Sequence, residues 1–181
     1  MSVDTPTPRD LRRNLVSESA IYGLLLVSAM LIVVARGEQS SWETFIKVGT
    51  TVVVFWVAHV FAHVIARLGA ANPSVDGEDP YGLSRQEAGA LRRAVRHAVA
   101  HSSGILFAAI LPLGIVLIGV LGFISGDTAT WTALWIDVAL LGLLGYFGTG
   151  GWTRRRSIRI AAGGLTALLG LSIMLLKAFI H

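Results

Sequence analysis

Long apolar runs alternate with short polar segments along this chain. Five of the apolar runs are close to or above the roughly 20 residues that an α-helix needs to cross a bilayer. They cover residues 17–35, 43–67, 103–124, 131–149 and 158–179. The pattern predicts an all-α, polytopic transmembrane bundle of five spanning helices. Residues 17–181 would form one transmembrane domain, preceded by a polar tail at residues 1–16.

A further periodic segment, residues 84–101, is amphipathic. Ser84 and Glu87 have the spacing of a capping box, in which the two side chains satisfy the first backbone N–H groups of a helix. Apolar residues then recur at helical spacing, and arginines occupy mostly the other side. We expect a basic amphipathic helix on the cytoplasmic side. It either lies on the membrane surface or continues directly into the third span.

The composition is that of a membrane protein. Hydrophobic residues make up 54% of the 181, and only 14% are charged, against about a quarter in soluble domains. Polar side chains could not cover so much apolar surface, so we expect lipid to cover it. The chain has no cysteine, which excludes disulfides, thiolate metal sites and thiol nucleophiles.

The basic residues are distributed unevenly between the two sides of the predicted bundle. Twelve of the fifteen lysines and arginines fall in the N-terminal tail, the second loop and the fourth loop. The positive-inside rule then places the N-terminus in the cytoplasm and the C-terminus outside. This distribution also accounts for the net charge of +4 without a nucleic-acid partner. The expected partner is the lipid bilayer.

Three segments carry a resemblance to known proteins. They are ESAIYG at residues 18–23, VVVFWVAHVFAHV at 52–64 and LLKAFIH at 175–181. Together they resemble a widespread group of small multi-pass bacterial integral membrane proteins. The resemblance covers most of the spanning region and implies a location in the bacterial plasma membrane. It implies no activity.

The second span contains two histidines. His59 and His63 are four residues apart, so they share one face of the helix. Ionisable side chains inside a bilayer are costly, which makes each of them a functional candidate. Ala58, Ala62 and Ala66 form a row of small residues beside them, and such rows allow helices to approach closely. We therefore expect the two histidines to lie at or beside a helix interface.

Glu18 and His101 are predicted at a similar depth to His59 and His63, so the four side chains are a candidate cluster. Three interpretations are open. The cluster could bind a divalent transition metal, since imidazole and carboxylate suit zinc, iron, manganese or nickel. It could relay protons, because histidine titrates near neutral pH. It could instead be structural, with histidine and glutamate satisfying each other across helices.

His97 and His101 repeat the four-residue spacing in the amphipathic segment. Pairs of such boxes are typical of membrane di-iron desaturases and hydroxylases, but those enzymes also need adjacent histidines, and this sequence has none. We interpret the second pair as the solvated edge of a basic helix.

Asp137 is the ionisable residue of the fourth predicted span, about two turns from its outer end. It has two interpretations: an ion pair with Lys47, which enters from the same side, or an outer gate on an ion or proton pathway. The ion pair is the preferred one.

The last two spans are rich in glycine, which predicts close packing or self-association. The residues concerned are Gly142, Gly145, Gly148, Gly163, Gly164 and Gly170. Because five helices enclose little space, a pore would require a homo-oligomer.

The sequence contains neither a phosphate-binding Walker loop nor a GxSxG nucleophile elbow, and no large soluble domain. These absences argue against an enzyme. We expect a small transport or channel-like protein for a cation or proton, which would use the histidine and carboxylate residues. The alternative is a non-catalytic membrane protein that binds partners or lipid. A histidine-ligated metalloprotein is a third, more distant interpretation.

Overall fold

Five α-helices make up almost all of the described part of the chain. The computed structural model describes residues 18–34, 40–70 and 85–180. The helices are α1 (Glu18–Val34), α2 (Ser41–Ala70), α3 (Arg85–Val120), α4 (Gly126–Gly148) and α5 (Arg156–Ile180), and a 3₁₀ turn, Thr149–Gly151, follows α4. The predicted all-α class is confirmed. The tail at residues 1–16 and the predicted cap at Ser84 lie outside the described residues.

Four of the helices are long and apolar enough to span a membrane. They are the segments Ser41–Gly69, Ala88–Val120, Gly126–Gly151 and Arg156–Leu176. The helix α1, with 17 described residues, is apolar but shorter. These helices suit a membrane protein, and they account for four of the five predicted spans.

The helix α3 is one continuous element of 36 residues. The amphipathic segment is therefore not separated from the third span, and of the two expected arrangements the chain adopts the direct continuation. At 1.5 Å per residue α3 is about 54 Å long, whereas the hydrocarbon core of a bilayer is about 30 Å thick. A large part of its arginine-rich N-terminal half must therefore extend beyond the apolar layer.

A glycine ends α3 at Val120, four residues before the predicted end of the third span. Gly122 has a positive φ of 81°, a conformation that glycine adopts without steric cost. The Phe123 N–H donates to the Ile118 carbonyl at 3.3 Å, and the Gly122 N–H donates to the Gly119 carbonyl at 3.1 Å. This pair of bonds is the Schellman motif, which satisfies the last carbonyls of a helix.

The helix α4 begins five residues earlier than predicted. Ser125 is its N-cap, and the serine hydroxyl accepts a hydrogen bond from the Thr128 N–H at 3.2 Å. Serine at this position satisfies a free N–H group at the start of a helix. Residues 126–130, which were predicted to form a polar turn, are therefore the first turn of α4.

The shortest helix, α1, lies at the centre of the bundle. It packs against all four other helices, and nine of its 17 residues are buried. Leu24, Val27 and Leu31 have no exposed surface at all. Their burial among α2 to α5 makes α1 the core element around which the two helix pairs, α2–α3 and α4–α5, are arranged.

Glycine allows α1 to touch α3. A Cβ atom at Gly23 would lie 2.8 Å from the Cα of Ile105 and 2.9 Å from its carbonyl oxygen. Since both of those atoms belong to the backbone, a larger residue could fit only if the helices moved apart.

The pair α4–α5 is held in the same way. A Cβ atom at Gly163 would lie 2.8 Å from the Gly142 carbonyl oxygen and 3.2 Å from the Cβ of Tyr146. Across the same interface the Thr166 hydroxyl donates to the Leu141 carbonyl at 2.8 Å. The predicted close packing of the last two helices is present within one chain. Gly164, by contrast, has open space beside it.

The outer surfaces of α2 to α5 carry large apolar side chains. Val54, Phe61, Phe107, Leu165 and Leu168 are all more than half exposed. A soluble protein rarely exposes so much contiguous apolar area. These surfaces are what lipid tails would cover.

The asymmetry between the two adjacent glycines of α5 gives a stability test. We expect Gly163→Ala to lower the free energy of unfolding by about 1–3 kcal/mol, because overpacking forces the backbone to shift. Gly164→Ala is the matched control, and it should be neutral or stabilising by up to about 1 kcal/mol, since alanine favours a helix. Reversible unfolding in mixed micelles, followed by circular dichroism, measures both. Equal effects of the two substitutions would contradict the α4–α5 interface.

Candidate functional site

The helices α2 and α3 bring four histidines into one row. His59 and His63 on α2 have ring centroids 4.6 Å apart, and His63 and His101 approach to 4.8 Å across the interface. On α3, His97 and His101 are 6.4 Å apart. We call His59, His63, His101 and His97, in that order, the histidine row. Of the predicted cluster, the row unites His59, His63 and His101.

The register of α2 against α3 produces this arrangement. The two helices are antiparallel, so moving four residues forward on α2 corresponds to moving four residues back on α3. His63 thus lies beside His101, and Arg67 lies beside His97. Two pairs at a four-residue spacing form one continuous row only when the helices pack in this register.

The small residues that permit this packing belong to α3. Ala94 and Ala98 are buried and pack against Val60 and Val64 of α2. The predicted alanine row of α2 is instead exposed. That part of the prediction is wrong for a single chain, because the valines of α2, not its alanines, face α3.

The backbone restrains the middle of the row. Nδ1 of His63 lies 3.2 Å from the His59 carbonyl oxygen, so the hydrogen of His63 belongs on Nδ1, and Nε2 remains as an acceptor. The Ser19 hydroxyl of α1 donates to the His101 carbonyl at 2.8 Å. Ser19 is one turn before Gly23, so α1 fixes α3 at the level of the row.

The end of the row at His97 is polar and exposed. Nη2 of Arg67 lies 3.0 Å from Nε2 of His97, and both side chains are exposed. A guanidinium can only donate, so His97 accepts this bond. Arg92, Arg93 and Arg96 are exposed on the same helix. His97 therefore lies at the exposed edge of a basic helix, as predicted, whereas His101, the other member of that pair, is half-buried beside His63.

Glu18, the carboxylate of the predicted cluster, is exposed at the start of α1. It interacts electrostatically with His59. Within residues 18–34, 40–70 and 85–180, however, no group of three or more histidine, aspartate or glutamate side chains is arranged to hold a metal ion. The rings of the row lie beside one another, whereas metal ligands point towards a common centre.

Asp137 occupies a different place from the one predicted. It is the twelfth of the 23 residues of α4, so it lies at the middle of the helix and not near its outer end. Its Oδ2 accepts a hydrogen bond from the Ser28 hydroxyl of α1 at 2.7 Å, and the residue has no exposed surface. The predicted gate near the outer surface does not fit this position.

The predicted ion pair between Asp137 and Lys47 is also replaced. Nζ of Lys47 lies 3.8 Å from Oε2 of Glu43, one turn earlier on α2, and the two side chains are 48% and 54% exposed. Glu43 is the acidic residue in the first turn of α2. The long side chain of a lysine near a helix end lets its ammonium group reach water. Lys47 therefore pairs with Glu43 at the surface and not with the buried Asp137.

Sequence reasoning missed Ser19, Ser28 and Arg67. The two serines lie nine residues apart within an apolar helix, and both face the core. A polar residue on the buried face of a spanning helix was the available signal for each serine. Arg67 gave no signal, because its contact depends on the register of α2 against α3.

No protein-family model, curated protein or solved structure matches this chain. The resemblance to small bacterial membrane proteins therefore stays a prediction, and the function has to be argued from the residues.

The contact of Ser19 with the row gives a second stability test. We expect Ser19→Ala to lower the free energy of unfolding by about 0.5–1.5 kcal/mol, the usual net contribution of one hydrogen bond. Ser172→Ala is the matched control, because the Ser172 hydroxyl is exposed and bonds only within its own turn, to the Leu169 carbonyl. The free energies of unfolding of the two variants, measured in mixed micelles, distinguish Ser19→Ala from Ser172→Ala. A neutral Ser19→Ala would contradict a structural link between α1 and the row.

Proposed function

We propose that this chain is a multi-pass protein of the bacterial plasma membrane that transports or conducts protons. The observation that carries the proposal is the contact of three imidazole rings, at 4.6 Å and 4.8 Å, across the α2–α3 interface. A neutral imidazole has one donor and one acceptor nitrogen, and histidine changes charge near neutral pH. Because Nδ1 of His63 is bonded to the His59 carbonyl, imidazoles this close would pass a proton between the two helices through a bridging water or after a ring rotation.

The direction of the row supports this role. His97 is exposed at one end, whereas His101, His63 and His59 are partly buried. The rings of His59 and Phe55 stack with their centroids 6.1 Å apart. The row therefore ends, on the side away from His97, at an apolar ring. Two protonated neighbours repel each other, so the row would carry protons one at a time, from the basic surface to the interior of the bundle.

A proton is favoured over a metal ion as the cargo. The described donors form no set of three that could hold a metal, while proton transfer needs only single donor and acceptor atoms linked by hydrogen bonds, directly or through water. Metal content of the purified protein by elemental mass spectrometry, beside a His59→Ala/His63→Ala variant, tests the metal interpretation directly.

The proposal takes α1 as the fifth spanning helix, with the N-terminus in the cytoplasm. Its apolar sequence and its burial among four candidate spans support this. The predicted cytoplasmic side then carries the exposed arginines of α3 and the arginines after α4, which fits the positive-inside rule.

A second candidate function is a non-catalytic role in binding a partner or lipid. It is favoured by the exposed alanine row of α2, since small residues let a second helix approach closely. The exposed arginines of α3 would also suit anionic lipid headgroups. A homo-oligomer through the alanine row is compatible with either function.

Replacing the central histidine tests proton transport. A positioned proton donor or acceptor often contributes about 100-fold or more to a rate, so we expect His63→Gln to reduce flux at least about tenfold. Proteoliposomes with an internal pH dye and an imposed potential measure the flux. Thr51→Val, on α2 and three turns from His63, is the control. A folded His63→Gln protein with unchanged flux, or a wild type no faster than empty vesicles, would contradict the proposal.

Two single-cysteine variants test the orientation, because the chain has no native cysteine. Phe123, between α3 and α4, is 77% exposed, and Trp152, between α4 and α5, is 79% exposed. We expect a membrane-impermeant maleimide to label Phe123→Cys in intact cells. Trp152→Cys should react only after the cells are opened. The reverse pattern would place the N-terminus outside.

A further inference from the structure

The core of the bundle contains a carboxyl group that has no charged partner within residues 18–34, 40–70 and 85–180. Asp137 lies at the middle of α4 with no exposed surface. Oδ2 accepts a hydrogen bond from the Ser28 hydroxyl at 2.7 Å. Oδ1 is also buried and has no hydrogen-bond partner among the described residues.

The surroundings of this pair are apolar. On α1, Ser28 lies between the buried residues Leu24 and Leu31, and on α4, Asp137 lies between the buried residues Leu134 and Leu141. Next to this face of α4, Gly170 of α5 packs against Leu141 and Val138. The site therefore has the low polarity of the bundle core.

The other ionisable residues of α1, α4 and α5 lie towards the helix ends, and those of α3 lie in its first half. On α1 they are Glu18 and Tyr22, about two turns or more before Ser28, and on α3 none follows His101. On α5 they are Arg156, Arg159 and Lys177, and on α4 itself they are Asp127 and Tyr146. Arg159 bonds to the Tyr146 carbonyl at 3.2 Å, near the end of α4.

An ionised carboxylate in this position would be costly. A buried charge needs a partner charge and full hydrogen bonding to offset the loss of water, and Asp137 has one neutral hydroxyl. A bound metal cation would need several oxygen ligands, and the described residues form no such group. A proton needs only one oxygen atom, and Oδ1 is available for it.

We propose that Asp137 and Ser28 form a proton-binding site in the core of the bundle, between α1 and α4. The proton occupies Oδ1, and the Ser28 hydroxyl donates to Oδ2. The site exchanges its proton with water when α1 and α4 separate locally. It is built on different helices from the histidine row, and it does not depend on proton transport along that row.

Infrared spectroscopy of the full chain in lipid tests this site. A protonated carboxylic acid has a carbonyl stretching band that an ionised carboxylate lacks. We expect the wild type at neutral pH to show such a band, and Asp137→Asn to lack it. Raising the pH should abolish the band reversibly in wild type. Ser28→Ala should keep the band but shift its frequency, because the carbonyl loses its hydrogen bond.

Glu43→Gln is the control, since Glu43 is exposed and pairs with Lys47. It should leave the band unchanged. Asp137→Asn mimics the neutral acid in shape, so it should fold like wild type in size-exclusion chromatography and circular dichroism. The absence of an Asp137-dependent band at neutral pH would overturn the proposal. A band that persists at every pH at which the protein is folded would overturn it too, because the proton would then not exchange. Neither result would affect the flux test of the histidine row.

Discussion

Lipid removes the hydrophobic driving force between helices, because lipid tails are as apolar as the side chains they contact. A bundle in a membrane is held by dense packing and by hydrogen bonds between helices. In this chain the dense packing depends on α1. Its contact through Gly23 places its backbone against α3, and its apolar face fills the space between the two helix pairs. The backbones of α4 and α5 also approach closely at a glycine, Gly163.

Side-chain hydroxyls provide the hydrogen bonds between helices. Ser19 joins α1 to α3, Ser28 joins α1 to α4, and Thr166 joins α5 to α4. Each such bond contributes roughly 0.6 kcal/mol on average in membrane proteins, so their main effect is on register. Ser19 fixes α1 beside His101. This contact also fixes α3, the helix that carries His97 and His101.

The sequence predicts the all-α class and the four long spans, because length and apolarity are properties of each segment alone. It also predicts that His59, His63 and His101 come together, because their depths follow from the order of the spans. It fails where the answer depends on which face of a helix is buried. The alanines of α2 and the valines beside them are equally apolar, so only the packing against α3 shows which residues face the interface.

The predicted start of α4 is wrong for a different reason. The segment SGDTAT has the composition of a turn and predicts one, but in the structure Ser125 is the N-cap of α4 and Thr128 lies in its first turn. The resulting shift of five residues moves Asp137 from about two turns to about three turns inside its helix, which is the middle of α4. The position of one capping residue thus affects both predictions for this carboxylate, the preferred ion pair with Lys47 and the outer gate.

The connection between α3 and α4 is short and firmly ordered at both ends. Only residues 121–125 separate the two helices, with the Schellman motif on one side and the Ser125 cap on the other. Such a connection leaves little slack between the end of α3 and the start of α4. Because α3 is about 54 Å long, a tilt of about 6° at this end would displace its far end by about 6 Å. The far end carries His97 and the exposed arginines, so the position of these groups depends on the contacts of α1 with Ile105 and His101, which oppose such a tilt.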